Sequence, residues 1–169
     1  MGAVTALIRD LEEGDREWRR GVLARWWGST ALVSRGRVHA GDELPGAVAI
    51  VGGERTGVVL WRRDGGELEV VLLHALVPRE GLGTALLAEA LRRAGAAGDR
   101  RLWLITTNDN TPAIEFYRKR GMRLVAVHRG AMRLSRRLKP EIPEAGIGGV
   151  PIEDELEFEI ALAETGRWG

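Results

Sequence analysis

The run RTGVVLWRRDGGELEVVLLHALVPREGLGTALLAEAL, residues 55–91, constrains the fold more than any other part of the chain. Two stretches rich in Val and Leu are joined by Asp64-Gly65-Gly66, the signal of a β-hairpin. The second stretch passes through Leu76 and Val77 into a glycine-bearing turn and then directly into a helical pattern that closes at Gly95 or Gly98. An antiparallel pair feeding straight into a helix excludes an all-helical or an all-strand architecture. From Arg55 onward the order reads strand, strand, helix, strand, helix, strand, long excursion, strand, which implies a mixed sheet with helices on its faces.

The remaining elements follow from period and punctuation. Residues 4–10 read as a first strand. Trp18, Val22, Leu23, Trp26 and Trp27 fall at helical spacing before Gly28, and residues 30–34 and 46–53 are short strands. Residues 100–106 form an apolar strand, residues 111–121 a short helix with Pro112 in its first turn, and residues 122–128 another strand. Residues 154–162, DELEFEIAL, alternate acidic and apolar positions, the pattern of a strand half exposed at a sheet edge or rim. At 169 residues the chain fits a single domain, residues 1–169, with 129–151 as a long irregular excursion holding three prolines and four glycines before the last strand.

Lys and Arg total 25 against 24 Asp and Glu, so the net charge of +1 offers no pull on nucleic acid or an anionic membrane. There is no cysteine, which removes disulfides, thiolate metal sites and a cysteine nucleophile. The acidic N-terminal stretch lacks the apolar core of a signal peptide, and no apolar run reaches the roughly 18 residues of a membrane span. The expected location is cytoplasmic, with no nucleic-acid, membrane or metal partner.

The chain contains no glutamine, two asparagines and one tyrosine, and Asn108, Asn110 and Tyr117 all fall inside TTNDNTPAIEFY. Capping the following helix requires only one of these groups, with Asn110 or Thr111 as N-cap. Two asparagines in a chain that otherwise avoids side-chain amides point to hydrogen bonding with an amide-rich ligand. Upstream, the glycine turn before residues 82–91 offers backbone N–H groups to a phosphate, although a Gly-x-Gly before a helix also serves as a plain tight turn.

Taken together, strand, glycine turn, helix, strand and then Asn-x-x-Ala-x-x-x-Tyr-x-x-x-Gly resemble the GCN5-related N-acetyltransferase (GNAT) family, by motif over residues 55–127 and by order of elements elsewhere. The resemblance implies a mixed, mostly antiparallel central α/β sheet with splayed middle strands and helices on both faces. It also implies acetyl-CoA as co-substrate without a metal, and transfer of the acetyl group by direct attack of a primary amine. A small-molecule acceptor is expected, with a protein amine or a non-catalytic acyl-CoA-binding module as alternatives and a homodimer as a possible assembly.

By the same resemblance, the pantetheine arm would bond to the backbone of Leu76 and Val77. The pyrophosphate would rest on the turn of Arg79, Gly81, Leu82, Gly83 and Thr84, and Asn108, Asn110 and Phe116 would line the rest of the cofactor groove, with bracing of the turn as the alternative role of Asn108. The family's usual Arg or Gln three residues before the first glycine is replaced by Pro78, which has no N–H; either Arg79 takes that place in a shortened turn, the favoured reading, or the cradle has fewer donors than usual. Tyr117 would be the general acid that protonates the departing thiolate, since a phenol, whose pKa is ordinarily about 10, stays protonated at neutral pH.

For the general base the strand before the turn offers Glu69 first and His74 second. Strict alternation places Glu67, Glu69, Val71, Leu73 and Ala75 on one face and Val70, Leu72, His74 and Leu76 on the other, unless a bulge intervenes. Arg129, Arg133, Arg136, Arg137 and Lys139 gather a basic stretch. It reads either as a clamp for an acidic acceptor or the cofactor phosphates, or as a solvated face paired with the acidic last strand.

Overall fold

The computed structural model describes residues 5–77 and 81–162. Among the described residues nine β-strands and four α-helices make the mixed, mostly antiparallel α/β architecture that the order of elements and the family resemblance together predict. The contacts divide the chain into two units. Of the described residues the first contains 5–15, 44–77, 81–102 and 161–162, and the second contains 16–43 and 103–160.

In the first unit four antiparallel strands run in the order β1 (Leu7–Asp10), β4 (Gly46–Val51), β5 (Glu54–Asp64) and β6 (Glu67–Ala75). The β5–β6 turn is Gly65-Gly66 at φ 56° and 75°, which only glycine adopts without strain, and it fixes the register by pairing Asp64 with Glu67. Helix α2 (Leu82–Ala96) buries Leu82, Leu86, Leu87, Ala90 and Ala94 on one stripe. Leu86 lies where Gly57 of β5 has no side chain, and Arg93 covers the Trp61 ring at 5.8 Å. Gly98, at φ 74°, closes the helix. At the other end of the sheet Asp15 accepts two hydrogen bonds from Arg9 at 2.7 and 3.0 Å and one from Arg55 at 2.7 Å. The Arg9 pair holds its carboxyl well below the usual carboxylate range.

The register between β5 and β6 changes one expectation. Leu60 pairs with Leu72 but Trp61 pairs with Val70, so Val71 is an extra residue bulged out of β6. Strict alternation therefore fails there: Glu69, Leu72 and His74 share one face with Val58, Leu60 and Arg62. The other face, with Gly57 and Trp61, meets α2. Glu69 and His74 were expected on opposite faces, and the bulge brings them to the same one.

In the second unit helix α1 (Arg16–Trp27) is followed by a small hairpin, β2 (Ala31–Ser34) and β3 (Arg37–Ala40), turning at Arg35-Gly36. Strand β3 was not expected, because Arg37 and His39 interrupt the apolar pattern. The larger sheet here runs in the order β7 (Arg101–Thr107), β9 (Glu155–Ala161), β8 (Arg123–His128), with α3 (Thr111–Lys119) between β7 and β8 in sequence and α4 (Ala131–Leu138) after β8. The final strand is thus interior and β8 is the edge strand, the reverse of the placement its alternation suggested.

The acidic residues of β9 are also not solvated. Glu155 is buried and accepts from Ser135 Oγ at 3.1 Å and from the Arg35 N–H at 3.2 Å. Glu157 meets His128 at 3.1 Å, and Glu159 meets Arg123 at 3.0 Å. Charged residues at alternate strand positions mark a wet face only when nothing charged packs over them, and here α4 and the flanking strands supply partners.

Candidate active site

In the first unit the backbone leaves the sheet at Leu76, whose N–H donates to the Thr56 carbonyl at 2.8 Å, and continues through exposed Val77. Pro78 and Arg79 lie outside the described residues. The chain re-enters at Gly81 in the left-handed region, φ 70°, and turns directly into α2 with no side-chain cap. Nothing stands within 4 Å of where a Cβ on Gly81 would project. The N–H groups of Leu82 and Gly83 have no preceding helical carbonyl to reach, which is the condition for receiving an anion at a helix start. Leu82 itself turns its side chain into the core, and Thr84 is exposed on the first turn.

On β6 Glu69 is buried, with Arg62 at 3.5 Å, and Arg62 also reaches Asp64 at 2.8 Å. His74 is half-buried, and burial pushes its pKa below the ordinary histidine value of 6.5. A histidine kept neutral at pH 7 is a competent proton acceptor.

In the second unit the rare polar residues separate into distinct roles. Asn108 is fully engaged: its Oδ1 accepts from Glu153 and Asp154 N–H at 2.9 and 3.0 Å, its Nδ2 donates to Pro151 O at 2.8 Å, and its backbone N–H donates to Asp154 O at 3.2 Å. It braces the loop against residues 151–154. Asn110 is the N-cap of α3, its side chain accepting from the Ala113 N–H at 3.3 Å with Pro112 in the first turn, which leaves the Asn110 amide N–H₂ uncommitted among the described residues.

Phe116 stacks under Arg120 at 3.6 Å and meets Tyr117 edge-on, with ring centroids 5.4 Å apart. Tyr117 rests against Phe158, the largest fully buried side chain among the described residues, at 6.2 Å. Its hydroxyl finds no hydrogen-bond partner among the described residues, and burial pushes its pKa up to about 12. A phenol so placed is held as a proton donor.

Two residues acquire roles that the sequence did not signal. Asp109 is buried, accepts from Thr107 Oγ1 at 2.5 Å and from the Ile147 N–H at 3.2 Å, and so fixes the excursion to the same loop. Lys139 leaves the basic cluster altogether. It is buried and donates to the carbonyls of Trp27 and Ala31 at 2.5 and 2.6 Å, and burial lowers its pKa. A polar side chain that caps a helix C-terminus from far along the chain gives no local sequence signature. Among the described residues no group of His, Asp and Glu converges as a metal site, and no helix is long and apolar enough to cross a membrane.

Residues 3–122 match the family description of the acetyltransferase (GNAT) family. The uncharacterized protein YdhI of Bacillus subtilis (strain 168) is 40% identical over 137 residues, which is 80% of this chain and 86% of that protein. Among solved structures, an IAA acetyltransferase from Bacillus cereus superposes with a TM-score of 0.74 at 19% identity, over 94% of this chain and 100% of that one. A Bacillus subtilis acetyltransferase in complex with CoA superposes with a TM-score of 0.69 at 16% identity, again over 94% and 100%.

Proposed function

The chain belongs to the GNAT family of acetyltransferases, and from that membership we propose that it acts as one catalytic domain moving an acetyl group from acetyl-CoA to the primary amine of a small molecule by direct attack. The observation that carries this reading is Tyr117: a single tyrosine, half-buried on α3, its hydroxyl unpartnered among the described residues and its proton held by burial. The ring is packed against the protein while the hydroxyl is not sealed in the interior, so a bound thioester can reach it.

Acetyl-CoA supplies an acetyl group activated as a thioester. In the first unit the uncapped start of α2 presents the Leu82 and Gly83 N–H groups to the pyrophosphate, and Gly81 leaves room for close approach. In the second unit the spare amide hydrogens of Asn110 suit the carbonyls of the pantetheine arm. As the amine nitrogen bonds to the acetyl carbon and the carbon–sulfur bond breaks, Tyr117 gives its proton to the sulfur. The proton lost by the amine passes to His74 or Glu69, directly or through water. The acceptor is taken as a small molecule because a chain of this length with a net charge of +1 has no long-range field to draw in a highly charged macromolecule of either sign.

Calorimetric titration with acetyl-CoA tests the cofactor assignment, with desacetyl CoA and ATP as controls. Micromolar binding of acetyl-CoA, well above that of ATP, is expected. No heat of binding at any concentration would leave the family fold without its cofactor and overturn the reading.

The two candidate bases separate by pH. A base must be deprotonated, and the His74 pKa lies below 6.5, so kcat stays level above that value and falls as pH drops through the lowered pKa. His74→Gln removes this acid limb if His74 is the base. A limb that survives in His74→Gln and disappears in Glu69→Gln assigns the step to Glu69.

A further inference from the structure

The second unit contains a groove of about 600 Å³ to whose lining the proposed transfer steps assign no role. Its lining includes Arg133, Arg136 and Arg137 of α4 on one side and Glu144, Glu153 and Asp154 on the other. Its volume falls in the range of small-molecule sites. Elsewhere in this chain arginines close on carboxylates: Arg20 on Asp42 at 2.8 Å, Arg63 on Asp99 at 2.8 Å, Arg55 on Asp15 at 2.7 Å. In the groove they do not. Among the described residues the side chains of Arg133 and Arg137 have no partner, and neither do the carboxylates of Glu144 and Glu153.

The geometry explains why opposite charges face each other without collapsing into ion pairs. Arg136 is a strut between the walls, its guanidinium donating to the carbonyls of Pro143 at 3.1 and 3.3 Å, Glu144 at 3.4 Å and Ile152. Behind the far wall Asn108 pins residues 151–154 and Asp109 pins Ile147. Gly146 packs so close to Asp109 that a Cβ there would collide with the carboxylate. Behind the near wall α4 is seated by buried Met132 and by Ser135 on Glu155. Both walls are anchored from the protein side, so their outward charges keep their separation.

The charges are also ordered along the groove. Asp154 accepts from the Gly130 N–H at 2.9 Å and Glu153 gives its carbonyl to the Met132 N–H at 3.1 Å, so these two acids sit at the start of α4. Arg133 and Arg137 follow one turn apart on the helix. A simple anion would meet Arg133 and Arg137 but also the repulsion of Glu153 and Asp154, and a simple cation the reverse. We propose that this groove is a binding site for a small zwitterion of the amino-acid class, its carboxylate taken by Arg133 and Arg137 and its ammonium group by Glu153 and Asp154. Walls held open in advance lower the ordering cost of binding such a ligand.

The site is defined by its own charges, so it is tested with the full chain and no acetyl-CoA. Calorimetric titration compares L-glutamate and L-lysine, which carry both charges, with glutarate, which carries only carboxylates, and 1,5-diaminopentane, which carries only amines. At least one amino acid is expected to bind about ten-fold or more tighter than either single-sign probe. Arg133→Ala/Arg137→Ala, at exposed positions with a melting temperature close to that of the parent chain, should lose that binding. Glu153→Gln should weaken the amino acid while strengthening glutarate, a reversal that loss of folding cannot produce. Glutarate binding as tightly as the amino acids, no saturable binding of any probe, or unchanged binding in the double arginine variant would each overturn the proposal.

Discussion

Tyr117→Phe is expected to lower turnover by roughly ten- to a thousand-fold while leaving acetyl-CoA affinity almost unchanged, the range set by general-acid contributions. The separation of the two effects follows from the environment of the ring. Its packing against Phe116 and Phe158 is entirely through carbon, so phenylalanine reproduces it. The hydroxyl has no protein partner among the described residues, so its removal orphans nothing. What disappears is the transferable proton. Because burial raises the phenol pKa to about 12, Tyr117 stays protonated through the working range and adds no basic limb to the pH–rate profile below that value. Single-turnover rates and calorimetry on the two proteins check both halves. Equal turnover in the phenylalanine variant removes Tyr117 from the reaction.

The residues that made the fold legible were those whose signals are local. Gly65-Gly66 announced the β5–β6 hairpin, and the apolar stripe of residues 82–94 announced α2, because turn conformation and helix period are both written within a few residues. Where the sequence misled, the deciding contact came from a distance. The bulge at Val71 depends on how Leu60 and Trp61 pair across the hairpin, and it reverses which face His74 shares with Glu69. Strand β9 lies inside its sheet because the chain returns through α4 past β8, which an alternating pattern cannot record.

The candidate site divides along the same line. Asn110 as a helix cap was readable from Pro112 and the strand before it. Asn108 read either as a ligand-binding amide or as a brace for the turn, and its hydrogen bonds run to residues 151–154, partners more than forty positions away that the sequence could not name. Lys139, counted with the surface arginines, proves to be an internal cap for the α1 carbonyl of Trp27. Rarity of a residue type marks that a position is needed, whereas the partner that needs it emerges only from the folded chain.

Phe158→Ala is the substitution expected to cost the most stability, about 3–5 kcal/mol, since it deletes the largest fully buried side chain among the described residues and leaves a cavity that strand β9, interior to its sheet, cannot move to fill. For a domain of this size that corresponds to a fall in melting temperature of roughly 10 °C or more. Phe158 also supports the Tyr117 ring from below, at 6.2 Å and a tilt of 43°, so the loss reaches the proposed reaction centre as well. Phe158→Leu keeps most of the volume and should melt within a few degrees of the parent while still giving Tyr117 room to shift. Its kcat should therefore fall more than its acetyl-CoA affinity, in proportion to the loosened position of the phenol rather than to unfolding. Thermal melts and steady-state kinetics on both variants distinguish the two consequences. A Phe158→Ala protein that melts like the parent would show that this ring does not anchor the core under α3, and with it the support on which the placement of Tyr117 depends.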